Sequence, residues 1–178
     1  MPLPDPLPPQ FTAALAVTVR ALIKHPILKG GRQSVEAPAQ GALAARAEVD
    51  RQAGTVRITA FPAVSDRVAT KLGRVRATVE MDGQPAGSFA DATGHVSVEA
   101  TLDVRPKTLL ASASTVTMAL SSDAALDADG LAAQGDPLDD GDDRLRLVGS
   151  GRFEGGTLSG GTMWLVLDCV VESAEAPS

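Results

Sequence analysis

The chain has 178 residues, 44% of them hydrophobic, which is enough for one domain with a buried core and too apolar for a disordered segment. A formal net charge of −6, an aromatic content of 3% and the absence of tyrosine exclude the basic stripe and stacking aromatics of a nucleic-acid binder. The apolar runs fall short of a bilayer span, no basic-then-apolar leader opens the chain, and the single cysteine, Cys169, allows no internal disulfide. The reading is a soluble cytoplasmic protein without a membrane or nucleic-acid partner.

Five prolines among the first nine residues predict a stiff, polyproline-like arm over 1–10. A single domain over 11–172 follows, and a loose tail over 173–178. Within the domain the period is two almost everywhere. Ala13, Leu15, Val17 and Val19 alternate with small or polar residues, as do Leu43 to Val49 and Val56 to Ala60. Val75, Ala77, Val79 and Met81 alternate with Arg74, Arg76, Thr78 and Glu80. The cleanest case is Val96, Val98, Ala100, Leu102 and Val104 against Ser97, Glu99, Thr101 and Asp103. Val116, Met118 and Leu120 come next, then Leu145 and Leu147, then a glycine-rich segment and the apolar run Met163–Val171.

Turn chemistry separates these runs at Gln52-Ala-Gly54, Met81-Asp-Gly83 and Ala92-Thr-Gly94. Two places depart from the pattern. Ala63–Leu72 is predicted as one or two helical turns, with Val64, Val68 and Leu72 on one face. The 121–143 stretch reads as an acidic surface loop: from Asp123 to Asp143 it holds eight aspartates and no Lys or Arg. The predicted fold is all-β, an antiparallel barrel of eight to nine strands, with a β-sandwich as the alternative.

Gly149-Ser-Gly-Arg-Phe-Glu-Gly155, followed by Gly160 and Trp164, resembles the closing hairpin of the allene-oxide-cyclase-like barrels. That calycin-type group includes plant allene oxide cyclases, dirigent proteins and small bacterial cyclases of polyketide chains. The resemblance covers about a sixth of the chain, and the sequence departs from the group in its scarcity of aromatics. It implies a barrel whose lumen holds one apolar ligand and catalyses by templating a conformation.

On this reading Trp164 walls a cavity, or else plugs the core, and Phe153, Met163, Val166, Met118 and Met81 supply further apolar wall. Asp168, in period with Trp164 and Val166, and Glu80 are the candidate catalytic carboxylates; burial would raise the pKa of Asp168 if its face is the lumen, and on a solvent face it is an ordinary carboxylate. Cys169 reads as a small buried hydrophobe. His25 and His95 stand alone, and the aspartates miss the calcium-loop spacing, so neither a metal nor a cofactor is expected. Three functions follow: a cofactor-free cyclase for a polyketide-type substrate, a non-catalytic carrier of an apolar ligand, or a structural and oligomerisation domain. Because Met163–Val171 is apolar on both faces, its outer face is expected to pack in a homodimer.

Overall fold

A computed structural model describes residues 9–36, 44–59, 61, 63–90, 95–107, 111–122 and 146–170. Among the described residues eleven strands form one antiparallel sheet. They are β1 (Gln10–Lys24), β2 (Arg32–Glu36), β3 (Ala44–Asp50), β4 (Thr55–Thr59), β5 (Val64–Thr70) and β6 (Gly73–Asp82). After them come β7 (Ala86–Ala90), β8 (His95–Pro106), β9 (Ser114–Ser121), β10 (Arg146–Glu154) and β11 (Thr162–Val170).

Eight of them close a ring in the order β1-β3-β4-β7-β8-β9-β10-β11, sealed where β11 runs antiparallel to β1 from Ala14 opposite Val170 to Leu22 opposite Thr162. The alternation read from sequence is the inside–outside alternation of this wall. Ala13, Leu15, Val17, Val19 and Ala21 point inward with Val96, Val98, Ala100 and Leu102, and all are buried. Outward positions such as Glu48, Arg57, Glu99 and Asp103 meet water. An apolar interior with a charged exterior is the reverse of a membrane-spanning barrel. Among the described residues no helix is long and apolar enough to cross a membrane.

The remaining strands double one side of the wall. β1 pairs with β3 along Gln10–Ala16 and with β2 along Arg20–Lys24. β8 likewise pairs with β7 along His95–Glu99 and with β6 along Asp103–Pro106. Two panels, β3-β4-β7 and β2-β5-β6, are therefore stacked along the barrel axis between the same two long strands. The first panel lies at the basal pole, where β1 begins, and the second at the apical pole, where β1 ends. In the apical panel β2 and β5 lie side by side. Backbone joins that seam at the Leu28–Thr70 bridge and through the Lys71 N–H, which donates to Ile27 O at 2.9 Å.

The helical turns predicted over Ala63–Leu72 are a strand instead. Val64 and Val68 are four apart, a spacing that satisfies period two as well as period 3.6, and they face Val79 and Val75 across an antiparallel ladder. Leu72, expected on their buried face, is 98% exposed at the β5–β6 turn. Gln10, assigned to the arm, belongs to β1, where its side chain donates to Asp50 Oδ2 at 2.8 Å. Ser121 belongs to β9, whereas residues 1–8, 123–145 and 171–178 of the arm, acidic loop and tail lie outside the described residues.

The glycine-rich hairpin has a packing cause. Gly149 and Gly151 occupy inward positions opposite Leu165 and Met163. A Cβ on either would lie 2.5 Å from a β9 carbonyl oxygen, of Ala119 and Thr117 respectively. β9 and β10 thus approach closely through backbone, as a tightly curved barrel wall requires.

Candidate functional site

The inward face of β11 is Met163, Leu165 and Leu167, each no more than 1% exposed. Trp164 and Val166 therefore point outward, so of the two faces left open by the sequence theirs is the outer one, and neither Trp164 reading, cavity wall or core plug, holds in the interior. Trp164 stands opposite Arg20 and Ser150, and the Arg20 guanidinium carbon lies 5.7 Å from its ring centroid, a cation–π contact on the outer wall. Val166, although outward, is only 1% exposed within the single chain.

Phe153, Met163, Met118 and Met81 do face inward, and all four are buried. They act as core, since the described interior void, about 20 Å³, is lined instead by residues such as Phe11, Leu15, Val49, Phe89 and Leu167. That is about the space of one water, and its walls are apolar. The candidate carboxylates are not brought together. Glu80 points out of β6, about half exposed, and its Oε1 is 2.7 Å from Lys107 Nζ. Asp168 lies on β11 with its backbone opposite Ala16 and Arg146, toward the basal pole; its side chain and that of Cys169 lie outside the described residues.

The site that the structure does offer is at the apical pole. β1 ends at Lys24 because Pro26 cannot donate to a continuing ladder. The chain then folds over the barrel rim: His25 N–H donates to Gly31 O, Leu28 N–H to His25 O, and Ile27 N–H to His25 Nδ1. Opposite this loop, the β5–β6 hairpin overhangs the rim, because β6 joins β8 only from Val79 onward. The third wall is the turn between β10 and β11. Its Leu158 is buried and its N–H donates to the fully buried Ser114 Oγ at 2.9 Å.

Between these walls is an open pocket of about 460 Å³ lined by Ile23, Leu28, Val68, Ala77, Val79 and Leu158, with Ile27 and Val75 at its exposed edge. His25, Thr70 and Arg76 are its main polar residues. The Thr70 hydroxyl donates to Gly73 O at 2.7 Å and accepts from Leu72 N–H at 3.2 Å, so it holds the hairpin turn. His25 Nδ1 accepts within its own loop. The pocket therefore presents aliphatic surface, with Thr70 and His25 Nδ1 engaged at the margin and the exposed Arg76 at its edge, and its volume falls in the range of small-molecule sites.

A second groove, about 660 Å³, lies at the basal pole along Gln10, Glu48, Asp50 and Arg57. Its one cation is paired with one carboxylate, and its second carboxylate is held by neutral donors. Arg57 Nη2 sits 2.7 Å from Glu48 Oε2. The Ala53 N–H and then the Gln10 side chain donate to the Asp50 carboxylate and hold its pKa below the ordinary 3.8. No group of three His, Cys, Asp or Glu side chains able to hold a metal occurs among the described residues.

The apical pocket escapes sequence reading because its walls come from four separated segments. Its one linear signal is charge. Residues 20–35 and 67–79 together carry eight Lys or Arg and no Asp or Glu, in a chain of net charge −6. Neither a family model, nor a curated protein, nor a solved structure matches the chain.

Proposed function

We propose that the protein binds an apolar small molecule in the apical pocket and holds it without converting it. The carrying observation is the open aliphatic pocket of about 460 Å³ at the apical pole, where the larger basal groove is lined by charged residues and the described interior void is only about 20 Å³. Burying the ligand against Val68, Ala77, Val79 and Leu158 supplies affinity in proportion to the apolar area removed from water. Holding fits the surroundings better than cyclisation. The expected polar handle Glu80 is engaged with Lys107 on the outer wall, and the expected aromatic wall Trp164 is stacked under Arg20. The outer face of β11 also asks less of a second subunit than its sequence suggests, because Val166 is covered within one chain.

Titration with the neutral probe N-phenyl-1-naphthylamine, followed by its fluorescence, tests the reading. Saturable binding is expected, and Ala77→Phe, which fills the pocket from its half-buried wall, should weaken it at least tenfold, on the order of 1.4 kcal/mol. Absence of saturation, or equal binding by a folded Ala77→Phe variant, would sink the proposal.

A further inference from the structure

Ile27, Leu72 and Val75 are, among the described residues, the large aliphatic side chains left in solvent, at 55%, 98% and 47% exposure. All three converge at the apical pole. Lys71 N–H donates to Ile27 O, which places the tip of the β5–β6 hairpin against the loop that carries Ile27. The presentation is braced: the Thr70 hydroxyl closes the turn beneath Leu72, and the Leu28–Thr70 bridge ties that turn to the rim.

A collar of positive charge surrounds these residues. Lys24, Lys29, Arg32, Arg67, Lys71, Arg74 and Arg76 are all exposed, and Asp66, beside Arg67 and opposite Ala77, is the acidic residue among them on β5. Arg67 and Arg76 stand directly opposite on neighbouring strands, a like-charge pair that costs stability in isolation. The exposed aliphatics of the described residues thus stand within a cluster of exposed cations.

We propose that the apical pole docks on an anionic membrane surface, with Leu72, Ile27 and Val75 entering the headgroup boundary and the lysines and arginines resting on acidic lipids. A bilayer matches the surface better than an acidic protein does, since it supplies negative charge and apolar depth together without requiring hydrogen-bond partners in register. The proposal does not require a ligand in the pocket, although docking would open that pocket onto the acyl region.

Co-sedimentation of the full chain with vesicles tests it, using phosphatidylcholine alone and phosphatidylcholine with phosphatidylglycerol. Binding is expected with the anionic vesicles, weak with the neutral ones, and lost as salt rises. Leu72→Asp, and separately Lys71→Glu with Arg74→Glu, should each lower partitioning by on the order of tenfold or more while leaving naphthylamine binding intact. Ala77→Phe should leave vesicle binding intact, so failure of the pocket reading and failure of this one are distinguishable. No sedimentation with anionic vesicles, equal sedimentation with neutral ones, or indifference to both sets of variants overturns the proposal. Retention by polyglutamate without vesicle binding also overturns it, in favour of an acidic protein partner.

Discussion

Gly151→Ala is expected to destabilise the barrel, although the same change in an open strand would stabilise it. A Cβ at position 151 lies 2.5 Å from Thr117 O and 2.8 Å from Val116 Cγ2, where ordinary contact begins near 3.4 Å. β9 and β10 would have to part by about 0.9 Å at their closest point, and one of the two obstacles is backbone that cannot rotate away. Overpacking of this kind costs roughly 1–3 kcal/mol. Against it stands a gain of roughly 0.5–1 kcal/mol, because alanine has less conformational freedom to lose on folding than glycine. The net expectation is a loss centred on about 1 kcal/mol, or about 2–4 °C in Tm for a chain of this size. Urea unfolding followed by Trp164 fluorescence reads the region directly, since Trp164 stands opposite Ser150. Ser150→Ala, outward on the same strand, should stay within about 0.5 kcal/mol of the parent. A stabilised Gly151→Ala protein would refute the close-approach account of the hairpin.

Ser114→Ala should cost about 1–3 kcal/mol in urea unfolding, because it strands the buried Leu158 N–H that Ser114 Oγ accepts. Leu165→Ala, at a fully buried inward position, should cost about 2–5 kcal/mol, while Trp164→Phe on the outer wall should cost far less; circular dichroism melts compare the two. The Asp50 carboxylate has a folded pKa below 3.8, so its stabilisation is present above that value and is lost as pH falls through the lower folded one. Asp50→Asn should therefore flatten the acid limb of the stability–pH curve in that window, and an unchanged limb would remove Asp50 from the account.

Most of the wall was legible because inward and outward residues alternate strictly in strands such as β8, where Val96 to Val104 face the core and Ser97 to Asp103 face water. Short strands were lost where the signal is weak. β7 offers Phe89 as its one large inward residue, and β2 offers Val35. β5 reads as helical turns in sequence because a four-residue spacing of valines fits both periods, and the intervening Asp66 obscures the alternation. The face of β11 was undetermined because both faces are apolar, and only the ladders to β1 and β10 decide which side meets the core. The apical pocket depends on which loops meet over the rim, and that is a property of strand register rather than of any local run.

The pairing that seals the barrel also sets the order in which it can form. β1 has fifteen residues, and its edge along Ala14–Leu22 is closed only by β11, roughly 140 positions later in the chain. Until β11 arrives, that edge is a long row of unpaired backbone groups carrying Leu15, Val17 and Val19. Closure must therefore await the most distant contact in the sheet, which makes folding slow for the size of the domain. During that wait the natural competitor for β1 is the β11 of another molecule. Refolding at high concentration should then yield strand-exchanged oligomers in which each seam is native and each barrel is shared.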